Sequence, residues 1–91
     1  MAVYVDDYEG HFRGMIMCHM MSDTSLDELH AFATRLGLRR SWFQNGSAPH
    51  YDICKTKRRL AVQLGAIEVS TSDHEAWITV YRAAKKLKEH V

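Results

Sequence analysis

Residues 15–37 read MIMCHMMSDTSLDELHAFATRLG, and this stretch decides the fold class. It opens with a nearly continuous apolar run over residues 15–21, whose shortness and flanking turn signals predict a buried strand. Ser25 and Glu28 have the spacing of a capping box that starts a helix. Apolar residues then recur at helical spacing until Gly37, which favours a left-handed helix stop. A strand followed at once by an amphipathic helix indicates an α/β domain.

The same criteria predict further elements on both sides of this stretch. Residues 2–6 are rich in β-formers and predict a first strand, and residues 8–14 contain two glycines and predict a loop. A second helix is expected over residues 56–64 and a third strand over residues 66–69. A capping box that begins at Ser72 predicts a third helix, with an apolar stripe of Trp77, Val80, Tyr81, Ala84 and Leu87.

The middle of the chain carries weaker signals. Residues 38–49 form a connection, with one helical turn possible over residues 41–44, and ordered structure resumes over residues 49–52. The predicted order is therefore β-β-α-α-β-α, a mixed sheet of three or slightly more strands packed against about three helices. The short link between the first two strands favours antiparallel pairing, and a helical crossover favours parallel pairing of the third.

Composition sets limits on the class of protein. The 91 residues are 46% hydrophobic and 25% charged, which suits one domain over residues 1–91 with a shallow site. The net charge of +1 does not by itself require a nucleic acid or a membrane as partner. Two widely separated cysteines favour a reducing cytoplasm. No signal peptide or membrane-spanning run is expected, so no membrane partner is predicted.

Acidic residues and histidines accumulate where the predicted strands end. The pair Asp6-Asp7 follows the first strand, where a carboxylate is rigid yet reachable, although Asp is also a common turn residue. His19 lies inside the second strand, so it needs polar partners. It is either a satisfied core histidine or a functional one that Asp23 orients.

The sequence His50-Tyr51-Asp52 places three titratable side chains together. In an extended backbone His50 and Asp52 point the same way and Tyr51 points the opposite way. Such a pair can bind a metal or act as an oriented base, whereas the alternative is a turn in which Asp52 caps the second helix. The predicted catalytic residues are Asp6, His19, His50 and Asp52. A divalent metal, if one is bound, is predicted on Asp6, Asp23, His50 and Asp52.

Basic and aromatic residues are interleaved between residues 35 and 59. Arginine forks suit phosphate oxygens and aromatic faces suit nucleobases, whereas the alternative is a solvated face with aromatics that plug the core. The residues predicted to bind a ligand are Arg39, Arg40, Trp42, Tyr51, Lys57 and Arg58.

Several short segments together resemble a small bacterial and phage domain family of unknown function, which begins with a Tyr-Val-Asp strand. The segments are VYVDD at 3–7, CHM at 18–20, Asp23, ELHAFA at 28–33, LG at 36–37, WF at 42–43, HYD at 50–52, KR at 57–58, LGA at 64–66 and Val69. The similarity covers residues 1–70 and leaves most of the third helix outside. It implies no established activity.

Three classes of function remain. The first is binding of a phosphate-bearing small molecule or nucleotide, with hydrolysis by a metal as an option; it is favoured because acidic and basic groups flank one segment. The second is nucleic-acid binding without chemistry. The third is contact with another protein, with the amphipathic third helix as the surface of a homodimer. The sequence leaves open whether the protein is an enzyme.

Overall fold

The structure, a computed structural model, describes residues 2–88. Within that range, a five-stranded mixed sheet is accompanied by three α-helices, which confirms the α/β class. The strands are β1 Val3–Val5, β2 Gly10–Phe12, β3 Met15–Ser22, β4 Tyr51–Cys54 and β5 Ile67–Glu68; the helices are α1 Leu26–Arg35, α2 Lys55–Gln63 and α3 His74–Lys85; a 3-10 turn lies at Arg40–Trp42. Over this range, the helices are all too short or too polar to cross a bilayer.

The apolar strand β3 organises the sheet. It pairs antiparallel with β1, β2 and β4, while β1 pairs parallel with β5. Both predicted pairing directions are confirmed. Its eight residues are enough for β1 and β2 to pair along one edge while β4 pairs along the other.

The pairing along β3 is interrupted opposite its middle. β1 pairs with residues 20–22 of β3 and β2 pairs with residues 15–17, so residues 6–9 leave the ladder opposite Cys18 and His19. At the break, the Asp6 N–H donates to the His19 carbonyl at 3.1 Å, and Asp6 Oδ1 accepts from the His19 N–H at 2.8 Å. A side chain thus replaces the missing strand partner, which satisfies a backbone donor that would otherwise be costly to bury.

The two faces of the sheet bury different clusters. One cluster joins sheet residues to α1 and α2 and includes Val5, Met20, Leu29, Ala33, Leu36, Tyr51, Ile53 and Ala61. The other joins Met21 and Ala48 to Val80 and Ala84 of α3. Alternation along β3 therefore places His19 on the face of α3. Val80 and Ala84 of the α3 stripe are buried, whereas Trp77, Tyr81 and Leu87 are partly buried; the homodimer hypothesis stays a prediction.

Two strands lie where the sequence did not predict them. The expected loop 8–14 is wrong for residues 10–12, which form β2; only Gly10 is partly buried there, so the segment has no apolar alternation to detect. β4 occupies residues 51–54, with Tyr51 and Ile53 buried and the intervening Asp52 partly exposed. Its four residues are too few for a strong period-2 signal.

The predicted helix signals are mostly confirmed. Ser25 Oγ accepts from the Glu28 N–H at 3.0 Å, but the Glu28 carboxylate accepts from the Ser22 hydroxyl and does not close a box on Ser25. Gly37 has φ of 78°, the left-handed stop. The cap of α3 is Asp73, which accepts from the Ala76 N–H, so the prediction of Ser72 as the cap was wrong by one residue.

The hairpin between β2 and β3 contains a strained residue. Its two-residue turn has φ of 49° at Arg13 and 77° at Gly14, and a turn of this kind prefers glycine or asparagine at both positions. We expect the free energy of unfolding of Arg13→Gly to be about 0.5–1 kcal/mol higher than that of Arg13→Ala. Alanine keeps the steric penalty of the left-handed conformation, and glycine does not have it. Urea unfolding of the two variants measures this difference. Equal stability would show that the turn is not left-handed at Arg13.

Candidate metal centre

Neighbouring strands bring two histidines and a carboxylate together on the face of α3. His19 of β3 lies directly opposite Asp52 of β4 in the antiparallel register. His50 precedes Asp52 by two residues, so its side chain lies on the same side of the extended backbone. The sequence prediction that His50 and Asp52 share a face, with Tyr51 opposite, is confirmed, since Tyr51 belongs to the cluster under α1 and α2.

The three side chains converge on one point. His50 Nε2 lies 3.3 Å from Asp52 Oδ1, and His19 Nε2 lies 4.0 Å from the same oxygen. One potential ligand atom from each residue lies within 4.8 Å of the other two. The exposed fractions of the His19, His50 and Asp52 side chains are 28%, 19% and 39%, so solvent reaches the point where they meet.

Both imidazoles are held by their other nitrogen. His19 Nδ1 donates to Asp6 Oδ2 at 2.8 Å, and His50 Nδ1 donates to the Ala48 carbonyl at 2.8 Å. With Nδ1 protonated, a neutral imidazole presents a lone pair at Nε2. Two imidazole lone pairs and a carboxylate oxygen therefore face one another, an arrangement that a proton or a cation between them would stabilise.

At His50, a proton competes with a metal ion for the lone pair of Nε2. Burial lowers the pKa of His50, but the hydrogen bonds that His50 donates to Asp52 and to the Ala48 carbonyl, together with the charges of Asp52 and Asp6, outweigh it, and the pKa of His50 is raised. The hydrogen bond from His50 is also the main reason that the pKa of Asp52 is lowered. A metal ion at His50 Nε2 competes with a proton, so metal binding at the centre weakens as pH falls.

Asp6 holds His19, one of the three residues of the centre, in position. It is fully buried, and its carboxylate accepts from the backbone N–H groups of His19 and Tyr8, from His19 Nδ1 and, at 3.3 Å, from the Trp77 indole. Burial raises the pKa of Asp6, but hydrogen bonds and charge from His19 outweigh it and the pKa is lowered. Both oxygens are occupied, so Asp6 orients His19 and is not itself within reach of a bound metal or substrate.

Asp52 is also fixed by a neighbour. Gln44 forms a β-bridge with His50, and its side-chain amide donates to Asp52 Oδ2 at 2.7 Å. This bond leaves Oδ1 as the oxygen that faces both imidazoles. A metal would therefore meet one oxygen of Asp52.

Comparison with known protein families places the chain. Residues 3–82 match the model of the family described as Protein of unknown function (DUF4031). The chain belongs to the DUF4031 family. The match continues into α3, whereas the resemblance in the sequence was expected to end near residue 70. The comparisons with curated proteins and with solved structures gave no significant match.

Asp23 does not join the centre. Four residues beyond His19, it lies about 13 Å further along the strand direction. There it accepts from the Ala2 N–H and from the Tyr4 and Thr24 hydroxyls. The carboxylate that orients His19 is Asp6, and the structure corrects the expectation that it is Asp23. The antiparallel register, in which Val5 faces Met20, is the reason.

The predicted ligand-binding residues are scattered in this DUF4031 fold. Tyr51 is fully buried on the opposite face, where its hydroxyl lies 2.8 Å from His30 Nδ1. Lys57 Nζ donates to the Leu36 carbonyl at the end of α1. Arg58 donates to the Asp6 carbonyl and to the Glu68 carboxylate. The exposed members are Arg39, Arg40 and Trp42, in the segment that leads to Gln44.

Three residues of the centre were not predicted as site residues. Trp77 was assigned to the apolar stripe of α3, although a buried indole N–H needs an acceptor and could have signalled a polar partner. Gln44 reaches Asp52 only because of the β-bridge to His50, for which the sequence carries no signal. Tyr8 stacks on His19, with ring centroids 4.8 Å apart, from a segment predicted as loop.

Asp7 has a separate structural role. Its carboxylate accepts from the Thr71 N–H and from the hydroxyls of Ser70 and Thr71, which tie the segment before α3 to β1. These bonds, led by the Thr71 N–H, lower the pKa of Asp7 to about 2. The adjacent acidic residues thus serve different purposes.

The Asp7 bonds predict an acid-dependent loss of stability. A carboxylate with a lowered pKa stabilises the folded state above its unfolded pKa of about 3.9. That contribution is lost as pH falls through the folded value of about 2. We expect the stability difference between wild type and Asp7→Asn, measured by urea unfolding, to shrink steadily from pH 5 to pH 2. A difference that is constant over this range would contradict the assignment.

Proposed function

We propose that this DUF4031 protein binds a divalent transition metal through His19, His50 and Asp52 and uses it to hydrolyse a phosphate-bearing small molecule or nucleotide. The observation that supports the proposal most strongly is the pair of imidazole Nε2 atoms aimed at Asp52 Oδ1 while both Nδ1 atoms are held by acceptors. Metal-binding histidines characteristically donate their second nitrogen to a carboxylate or a backbone carbonyl in this way.

The spacing suits a tetrahedral metal with modest adjustment. Zinc–ligand distances of about 2.0–2.1 Å place ligand atoms about 3.3 Å apart in a tetrahedron. The observed separations are 3.3 Å for His50 and 4.0 Å for His19 from Asp52 Oδ1. Two imidazoles and one carboxylate are a common set for zinc and for other divalent ions of its row. Three protein ligands leave at least one position open, which is typical of a catalytic metal and not of a structural one.

The chemistry follows from the open position. A divalent metal held by His19, His50 and Asp52 would lower the pKa of a water at the open position and so supply a nucleophile near neutral pH. Hydrolysis would join the oxygen of that water to the phosphorus and break the bond to the ester oxygen, which would leave with the electron pair and take up the proton that the water lost. The net reaction adds one water across the ester bond. The basic side chains Arg39 and Arg40, exposed in the segment before Gln44, would attract the anionic substrate.

The metal itself is the first part to test. We expect zinc at one hundred times its dissociation constant to stabilise the folded protein by about 2.7 kcal/mol, measured as a rise in unfolding temperature. His50→Ala and Asp52→Ala should abolish this rise and the zinc-dependent release of inorganic phosphate from phosphate monoesters. His11→Ala, which removes an exposed histidine of β2 outside the cluster, is the matched control and should behave as wild type.

Other outcomes would redirect the proposal. If zinc does not stabilise the wild type, the centre is not a metal site. Salt-dependent binding to oligonucleotides that Trp42→Ala weakens would then favour nucleic-acid binding. The feature behind that second candidate is the half-exposed indole of Trp42, with the Arg39 guanidinium 5.9 Å from its ring centroid.

A further inference from the structure

An exposed aromatic ring stands in a fixed position beside the proposed metal. Tyr8 is 50% exposed, yet its ring lies parallel within 23° to the imidazole of His19. Its N–H donates to Asp6 Oδ1 at 3.2 Å, which anchors the backbone below the ring. An aromatic side chain held in place while half in water is typical of a binding surface.

A glycine makes room for this ring. A Cβ at position 10 would lie 2.7 Å from Tyr8 Cε2, closer than side chains tolerate, so the ring can lie there only because residue 10 is glycine. Gly10 is the first residue of β2, where the chain rejoins the ladder after the break at residues 6–9. The break in the ladder, the glycine at position 10 and the hydrogen bond to Asp6 together set the position of the Tyr8 side chain.

Tyr8 also borders a cavity of about 490 Å³. This volume lies within the range of small-molecule sites, about 300–1,000 Å³. The apolar part of the lining includes Ile16, Met17 and Val62, and the cationic part includes Lys55 and Arg59. The hydrocarbon surface suits a planar ring, and the cations suit an anionic group attached to it.

The carboxylates of the same cavity have partners of their own. Glu68 accepts from Arg58 at 2.8 Å, and Glu9 lies 3.6 Å from Lys55 in a pair that is mostly exposed. Asp7 is bound to Ser70 and Thr71. Within the described part of the chain, Arg59 forms no ion pair shorter than 4.0 Å. Arg59 can therefore attract an anionic ligand into the cavity without breaking an ion pair.

We propose that the outer face of Tyr8 stacks on an aromatic ring of the substrate, so that the substrate class is a phosphate ester with a planar heteroaromatic group, such as a nucleotide, and not an aliphatic phosphate. This inference rests on the proposed function for its reaction but on different residues for its binding. Stacking between a base and an aromatic side chain strengthens binding by roughly tenfold or more and tolerates different bases, because every base has an aromatic face.

Two probes that differ only in the base test the inference. Calorimetric titration of the metal-free protein, which cannot hydrolyse the probes, should give an affinity for AMP at least tenfold higher than for ribose 5-phosphate. Tyr8→Ala should remove that preference and Tyr8→Phe should restore it. Gly10→Ala, which displaces the ring without deleting it, should reduce the preference. Phe12→Ala removes another half-exposed aromatic, one outside the cavity lining, and is the matched control that should keep it.

The cobalt absorption spectrum separates the two proposals. A normal spectrum with equal affinities for AMP and ribose 5-phosphate would overturn the role of Tyr8 and leave the metal centre intact. If cobalt does not bind, or if His50→Ala leaves its spectrum unchanged, the proposed function fails. The two titrations do not depend on the metal, so they decide the stacking inference by the same tenfold criterion in either case.

Discussion

Asp6→Asn is expected to weaken zinc binding at least a hundredfold while the protein stays folded. The asparagine carbonyl can still accept from the backbone N–H groups of His19 and Tyr8, as Oδ1 does now. Its amide, however, would point a donor at His19 Nδ1 in place of the acceptor Oδ2. His19 must then move its proton to Nε2, the atom that binds the metal. Losses of 10–100-fold are typical when the partner of a metal-bound histidine is removed, and a reversed tautomer adds to that loss.

Trp77→Phe is the matched control for this substitution. It removes the indole donor to the same oxygen, a bond of 3.3 Å, but leaves the carboxylate and its bond to His19. We expect its zinc affinity to change only a few-fold. Zinc titrations of folded Asp6→Asn, checked by circular dichroism, measure the effect. Native affinity in that variant would show that Asp6 does not control the His19 tautomer.

Ile53→Ala is expected to lose stability and keep zinc binding, whereas Asp52→Ala is expected to keep stability and lose zinc binding. Ile53 is 1% exposed in the cluster under α1 and α2, and it anchors β4 from the face opposite the metal centre. Truncation of such a side chain typically lowers the free energy of unfolding by about 2–5 kcal/mol. That is a large part of the 5–15 kcal/mol that stabilises an ordinary domain. Folded Ile53→Ala should nevertheless bind zinc as tightly as wild type.

Asp52→Ala should abolish zinc binding and change the stability of the fold only slightly. Its side chain is 39% exposed and its partners, His50 and Gln44, can turn to water. We expect a small change in unfolding free energy and a complete loss of zinc binding. Urea unfolding and zinc calorimetry on both variants give four measurements. Severe unfolding of Asp52→Ala would assign Asp52 a structural role and contradict the proposed centre.

Local sequence rules predicted the parts of the fold that depend on neighbouring residues. The strand of residues 15–21 and the cap at Ser25 follow from apolar periodicity and capping chemistry, which act over a few residues. Alternation in HYD likewise placed His50 and Asp52 on one side before any pairing was known. His19, His50 and Asp52 meet in the structure, whereas Asp6 is buried behind His19 and contacts the centre only through it; the catalytic roles of all four stay a prediction.

The rest depends on register, which no local pattern reports. Only the pairing of Val5 with Met20 brings Asp6 to His19 and sends Asp23 to the far end of β3. Tyr51 was predicted to contact a ligand because it is an aromatic residue interleaved with basic ones, yet the same alternation that unites His50 and Asp52 buries it. Gln44 approaches Asp52 through a single β-bridge. Long-range pairing therefore decides which of the polar residues become partners.

A crystal structure of the zinc-loaded protein, with the metal located by its anomalous scattering, tests the central claim most directly. We expect one fully occupied peak at about 2.0–2.2 Å from the Nε2 atoms of His19 and His50 and from Asp52 Oδ1. The His19 bond to Asp6 should be retained. A peak at any other set of side chains, or no peak at this one, would contradict the account.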